Sequence, residues 1–397
     1  MMKKTKIDIN KLVYLDQRIV INEFQQKTSL VKQDKDYTLW VDINNIKPVD
    51  LYCYLQARFG KPNGIQSLFR NYDSDNLIHW DYTLDYEGYR ITIMCMTYRL
   101  EIHKSIDFPD QKYAKDQFIL DLKNDFKNYG KQISSFRSRI ETWHLFINPF
   151  KRVKNAIESN LDELEKLDIE NIKYPNFKNI NKRTRKEMAL VGEKFSKANT
   201  LGINISLTLP IYAESFINFL IFTLAKVNIY QSKSDYDSFI RSPINERVKN
   251  LHLKCKGFHS PVDYSNNESC KEFQSVMNIR NEMLHGNVNP SSNHFDTVYF
   301  DDRTPLFAKF TNLAFDSYLA SQTGIEFSTL LKRYQSIQNF ITYVLTCLEI
   351  PVARQILDML NEPYPGWNPK KKILGKLFSD KAVDFQIDIG NKIKIIY

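Results

Sequence analysis

The sequence predicts a mainly α protein in which a small α+β unit and a helical connector precede a larger all-helical domain carrying a small β-hairpin insert. Two features of the pattern point there. Between residues 37 and 103, aromatic and β-branched residues cluster in short runs, as strands require. From Gln111 onward, apolar residues recur at three- and four-residue spacing, as buried helical faces require. Composition sets the scale: 397 residues, 43% of them hydrophobic, exceed one ordinary domain and support a sizeable core. Only 12 glycines and 14 prolines argue against long low-complexity tracts.

In order along the chain, residues 1–36 are polar, with one short helix expected from Asn10 to Phe24. Tyr37 to Ile43 has the makeup of a strand, and Pro48 opens a helix that runs through Phe59. His79 to Tyr86 and Tyr89 to His103 read as two strands joined at Glu87-Gly88. Simple alternation places Ile91, Ile93 and Cys95 on one face, and Met94, Met96, Tyr98, Leu100 and Ile102 on the other. Two apolar faces predict a strand covered on both sides. These elements make up a unit over residues 1–110.

Residues 111–167 follow as the connector, with helices expected over Tyr113 to Tyr129 and Phe136 to Leu167, the second interrupted near Asn148-Pro149. The segment Asp168 to Asn181, with Pro175, is the predicted boundary. The helical domain, 168–360, then comprises Lys182 to Lys197, the apolar Leu209 to Val227, the polar Val227 to Ser242 and a helix over Glu272 to Gly286. A hairpin over Phe295 to Phe310 turns at Asp301-Asp302, and helices over Ala314 to Leu319 and Phe327 to Leu360 complete the domain. Residues 361–397 read as a tail with a soluble Lys370 to Lys372 run and a final alternating segment, Lys392 to Tyr397, suited to an edge strand.

A net charge of +9 and a pI near 9.0 favour a polyanionic partner. Lys, Asn, Ile, Tyr and Phe all have AT-rich codons, so part of that charge is discounted as genomic bias. Five scattered cysteines without a C-x-x-C pair read as free thiols in a reducing, cytoplasmic setting. The N-terminus lacks the apolar run of a signal peptide. The long apolar region, Ile203 to Val227, contains Pro210, Glu214 and Asn218, which would be costly in lipid, so no membrane partner is expected.

Residue types and spacing together suggest chemistry at one place, Arg280-Asn281-Glu282-Met283-Leu284-His285-Gly286. Phe273, Val276, Met277, Ile279, Met283 and Leu284 form the apolar stripe of its helix. Gly286 stops that helix and Pro290 prevents an early restart. Arg280-Asn281, then three residues and His285, resemble the arginine–polar–histidine motif of HEPN domains. The helical setting is similar too, over about Lys182 to Leu360, and the preceding Leu209 to Val227 resembles the HEPN core helix. There Glu214 and Asn218 stand where acidic and amide residues often support the site. Residues 1–167 resemble no family we can name.

The resemblance implies a metal-independent endoribonuclease that needs no cofactor, works as a homodimer and serves antiviral defence, abortive infection or a toxin–antitoxin pair. A regulatory or antitoxin partner is implied with it. HEPN domains that bind RNA or nucleotides without cleaving are the alternative, and a scaffold protein a third reading.

The residue chemistry leads the same way. Five residues at about 100° each leave Arg280 and His285 about 140° apart around the helix axis, whereas Asn281 and His285 share a face. One helix therefore makes an incomplete pocket, and a two-fold axis would supply a second arginine and histidine. Histidine, with an ordinary pKa of ~6.5, can act as general base or acid. Arginine offers a permanent charge and a planar fork of donors to a developing phosphorane. Because RNA carries its own 2′-hydroxyl nucleophile, these side chains would suffice.

Glu214 and Asn218 lie on one face of an apolar helix and are expected to face the Arg280 helix, where Glu214 would pair with Arg280 or orient His285. Lys182, Arg183, Arg185 and Lys186, with Lys178, Lys194 and Lys197 nearby, form the densest basic cluster and are either RNA contacts or a solvated face. His252, Cys255, His259 and Cys270 include zinc-ligand types, but the spacing fits no common finger, so buried or incidental side chains are expected. Trp40, Trp80 and Trp143 are read as core in preference to base-stacking platforms. No phosphate-binding glycine loop is present.

Overall fold

The computed structural model describes residues 7–16, 18, 19, 22, 37–64, 78–97, 99–105, 108, 115–173, 181–285, 294–309, 313, 316, 317, 320 and 327–377. It is mainly α with a small antiparallel β part, and its contacts divide it between Thr142 and Trp143. The 111–167 stretch, expected to be a connector, is shared between the two units. Its first helix completes the core of the N-terminal unit and its last one that of the second unit.

The N-terminal unit is built on a five-stranded antiparallel sheet. Its strands are β1 (Leu12–Tyr14), β2 (Tyr37–Asp42), β3 (Trp80–Tyr86), β4 (Tyr89–Cys95) and β5 (Leu100–Ser105), in the order β1-β3-β4-β5-β2. Helix α1 (Pro48–Phe59) begins at its proline, and α2 (Lys115–Asp125) and α3 (Gly130–Arg137) follow the sheet. Leu51, Tyr54 and Leu55 of α1 and Phe118, Ile119 and Leu122 of α2 share one core with Tyr82, Leu84, Ile91, Ile93, Leu100 and Ile102. Arg58 ties the helices together, bonding the Asp125 carboxylate at 2.7 Å, the Tyr54 hydroxyl at 2.6 Å and the Ile9 carbonyl at 2.5 Å.

Two expectations change here. The helix expected over Asn10 to Phe24 does not begin at Asn10, because Leu12–Tyr14 pairs with Tyr86–Leu84; Arg18, Ile19 and Asn22 are helical, and 17, 20, 21, 23 and 24 lie outside the described residues. The period is that of a strand, since Leu12 is buried while Val13 is 58% exposed. The predicted long strand Tyr89 to His103 is two strands, and the turn between them resets the alternation. Ile93 lies opposite Ile102, and Cys95 opposite Leu100, so Leu100 and Ile102 join the Ile91–Ile93–Cys95 face. The Glu87-Gly88 hairpin forms as expected, with φ of 51° and 88°, the left-handed pair that a two-residue turn demands.

The second unit packs α4 (Pro149–Lys166), α5 (Lys182–Leu224), α10 (Glu268–His285), α11 (Phe327–Thr346) and α12 (Ile350–Asn361) around one core. Short helices α6 (Val227–Gln231), α7 (Lys233–Arg241), α8 (Ile244–Lys249) and α9 (Leu251–Lys254) lie between α5 and α10 in sequence. The expected pair Lys182–Lys197 and Leu209–Val227 is one 43-residue helix. Phe195, Ala198, Ile205 and Leu209 carry a continuous buried stripe across the gap, and that packing overrides the break Pro210 would favour. α5 is long and apolar enough to cross a membrane by composition, but 61% of its most apolar window is buried inside the protein, as befits a bundle core.

Asn148 begins a helix where an interruption was predicted. Its side chain accepts from the Phe150 and Lys151 amides, and its Nδ2 donates to the carbonyls of Met359, Leu360 and Glu362. One residue thus caps the start of α4 and the end of α12. Upstream of it, β6 (His144–Leu145) pairs with β9 (Gly366–Asn368), which pairs with β10 (Ile373–Gly375). Residues 362–376 are therefore integral to the unit, and Lys370–Lys372 form its tight turn. The segment Lys392 to Tyr397 lies outside the described residues. Phe327 to Leu360 splits at Cys347–Glu349, where Phe258 bridges Leu348 and the Glu349 amide donates to the Gly257 carbonyl. The expected hairpin forms as β7 (Val298–Asp301) and β8 (Thr304–Phe307).

Candidate functional site at the end of α10

The first half of α10 is core. Cys270, Phe273 and Val276 are buried, Met277 packs against them, and the Phe273 ring stacks on Phe340 of α11 at 4.2 Å and 12°. Further along, Asn278 and Asn281 are exposed, and Ile279 and Arg280 are half-buried. The Arg280 Nη1 donates to the Asn281 Oδ1 at 3.0 Å. This couples guanidinium and amide at the surface, with the remaining guanidinium donors and the Asn281 amide nitrogen able to serve an anion.

Helix α10 reaches His285, so the motif lies in its last turns, as predicted. The side chains of Met283, Leu284 and His285, and Gly286 with Pro290, lie outside the described residues. The relation of Arg280 to His285 is therefore given by the helix itself, about 140° around the axis.

Glu214 and Asn218 serve a different arginine from the one expected. Arg247 of α8 donates from Nη1 to the Asn218 Oδ1 at 2.6 Å and from Nη2 to the Glu214 carboxylate. Arg247 is only 5% exposed, and its Nε has no partner among the described residues. A buried guanidinium costs several kcal/mol of desolvation unless charge and hydrogen bonds offset it, which is what the two α5 side chains provide. Among the described residues Glu214 pairs with Arg247 and not with Arg280; the other expected role, orienting His285, falls on a side chain outside the described residues. The signal was present in the sequence: an acid and an amide one turn apart on an apolar helix require a partner.

Lys182, Arg183, Arg185 and Lys186 occupy the first two turns of α5 and are all exposed. Asn181 caps this end by accepting from the Arg183 and Thr184 amides at 2.9 and 3.0 Å. Arg183 pairs with Glu187, and Lys197 with Glu163 of α4. Lys178 lies outside the described residues.

All five cysteines are buried, and burial pushes Cys255 and Cys270 up to about 12, which favours the protonated thiol at neutral pH. His259 bonds the Thr346 carbonyl through Nε2 at 2.9 Å. Among the described residues, no three His, Cys, Asp or Glu side chains converge as metal ligands do. The tryptophans pack inward: Trp40 tilts against Phe118 at 5.9 Å, Trp80 against Tyr52 at 5.4 Å, and Trp143 lies over Gly375.

No family model matches the chain, and no significant match is found among curated proteins or solved structures.

Proposed function

We propose that this protein is a metal-independent, HEPN-type endoribonuclease, with Arg280 and His285 as catalytic residues and Asn281 in support. The observation that carries the reading is the placement of Arg280-Asn281, coupled to each other near the C-terminal end of a helix whose first half is locked in the core. The anchored first half of the helix gives the pair a fixed base, as a preorganised phosphate receptor requires.

In the reaction, one His285 takes the proton of a ribose 2′-hydroxyl, whose oxygen attacks the adjacent phosphorus. The bond to the 5′-oxygen breaks, and that oxygen leaves with a proton from the partner's His285. Arg280 stabilises the charge on the phosphorane oxygens. A two-fold dimer supplies the second histidine.

The Lys182, Arg183, Arg185 and Lys186 cluster then holds the RNA backbone. Four cations in the first turns of a helix oppose its dipole, and of the four only Arg183 has an acidic partner among the described residues, so the cluster suits a polyanion. Glu214 and Asn218 act through Arg247, fixing α8 to α5. The N-terminal unit would restrain or trigger the nuclease, as a defence or toxin effector requires.

The test is Arg280→Ala and His285→Ala in the full chain. Both should abolish RNA cleavage and any toxicity on expression, with folding and self-association unchanged. Variants that cut like the wild type would refute the assignment. Variants of a wild type that retains RNA but never cuts it would support the binding-only alternative.

A further inference from the structure

The N-terminal unit carries a cleft lined by charge of a single sign. It lies between α1 and α3 and has a volume of about 500 Å³, a size that suits a small organic ligand. Lys131, Ser135 and Arg139 recur every four residues, so they share one side of α3 and its closing turn, with Gln132 and Phe136 beside them. The wall from α1 is Gln56 and the methyl group of Ala57, and no carboxylate lines the cleft. Overall basicity does not account for this. A second cleft in the same unit, about 430 Å³, is lined by Asp8, Asp121 and Asp125, with Lys127 as its one cation.

Neither cation of the basic cleft is spent within the fold. The intervening Arg137 pairs with Asp50, and Phe136 tilts against Tyr52 at 5.9 Å, contacts that hold α3 to α1. Lys131 and Arg139 are exposed and have no acidic partner among the described residues. Arg139 is nonetheless placed: its amide donates to the Phe136 carbonyl at 3.0 Å, and its guanidinium carbon stands 5.5 Å from the centre of the Phe136 ring.

We propose that this cleft binds a small phosphorylated ligand with a flat aromatic end, a nucleotide. Eight residues of helical rise set the two cations roughly 12 Å apart along the axis, which is longer than one phosphate group. At the Lys131 end, the ammonium, the Gln56 and Gln132 amides and the Ser135 hydroxyl are donors for phosphate oxygens. At the other end, a guanidinium over an aromatic ring offers a planar surface on which a base can stack. An RNA strand would call for a basic track that leads on from the cleft, and Arg137, the cation beside it, is already held by Asp50. The inference goes beyond the ribonuclease reading and does not depend on it.

The experiment is titration calorimetry on the full chain with the four ribonucleoside triphosphates, inorganic pyrophosphate and adenosine. It is run in an Arg280→Ala background, so that binding at α10 is not counted, and compares that parent with added Lys131→Ala, Arg139→Ala or both. The two side chains are exposed, so the fold should survive, and circular dichroism melting checks that it does. The expected result is at least one nucleotide bound with a Kd of about 100 μM or tighter, weakened roughly 5- to 10-fold by each substitution and about 30-fold or more by both. Pyrophosphate should bind more weakly and respond to Lys131→Ala more than to Arg139→Ala, with adenosine showing the reverse. No nucleotide binding up to about 1 mM, or a double variant that binds like its parent, would overturn the proposal. Pyrophosphate held as tightly as any nucleotide would overturn it in favour of a simple anion site. A short single-stranded RNA lost by the double variant, where no mononucleotide binds the parent, would overturn it in favour of an RNA contact. None of these outcomes bears on cleavage, whose test is the loss of Arg280 and His285.

Discussion

Two arginines of the helical unit are held in opposite ways. Arg247 is buried, fixed by the Glu214 carboxylate and the Asn218 amide, and spends its charge inside the protein. Arg280 is half-buried at a helix end, and its recorded partner is the neighbouring Asn281. A guanidinium clamped by a carboxylate has little left for a ligand, whereas one steadied by a neutral amide keeps its full charge. The difference teaches that, among the described residues, the acid and amide of α5 hold a scaffold arginine, while the arginine of α10 is steadied by a neutral amide alone.

The largest effect should come from breaking the available arginine. Arg280→Ala is expected to lower RNA cleavage by about 10²- to 10⁴-fold while moving stability by no more than about 0.5 kcal/mol, read by single-turnover kinetics and urea unfolding. If stability collapsed instead, Arg280 would be a structural residue like Arg247.

The next effect tests what holds α10. Phe273→Ala removes a fully buried ring stacked on Phe340 and should cost about 3–5 kcal/mol in chemical denaturation. A loss under 1 kcal/mol would mean the helix is not anchored there.

Arg247→Ala should be the mirror of Arg280→Ala. We expect a loss of about 2–3 kcal/mol of stability, reduced from the usual cost of breaking a buried pair because Glu214 is partly exposed. Cleavage per folded molecule should stay near the wild-type rate. Glu214→Gln should cost only about 1 kcal/mol. A folded Arg247→Ala protein without activity would move Arg247 into the site.

The legibility of these features follows their physics. Pro48, the Glu87-Gly88 turn and the Tyr37–Asp42 strand were readable because each depends on a few adjacent residues. The α10 stripe was readable because one face must be buried. The continuity of α5 through Pro210 was not, since it depends on the tertiary packing of α5 against α4, α10 and α11 rather than on adjacent residues. Nor was the Glu214–Arg247 pair, 33 residues apart and joined only by the fold. Likewise the docking of residues 362–376 depends on Asn148, more than 200 residues upstream.

The smallest predicted effect lies in the N-terminal sheet and serves as a control for electrostatics away from the site. His103 and Arg99 hold the Glu101 carboxyl below its ordinary value of 4.5. Its stabilisation is therefore fully present above that value and is lost as pH falls through the depressed one. Glu101→Gln should flatten the acid limb of the stability–pH profile of the N-terminal unit and leave cleavage unchanged at neutral pH. An acid limb identical to wild type would show that the cluster carries no such linkage.

The central claim is that Arg280 and His285 direct a ribose hydroxyl onto its own phosphate. The most direct measurement uses RNA strands that the protein cuts, resynthesised with a single 2′-deoxy nucleotide at the cleavage position. The account predicts that cutting stops at that position alone, that the all-RNA strand yields a 2′,3′-cyclic phosphate end, and that Arg280→Ala yields neither product. Cleavage at the deoxy position, or by Arg280→Ala at the wild-type rate, would contradict it.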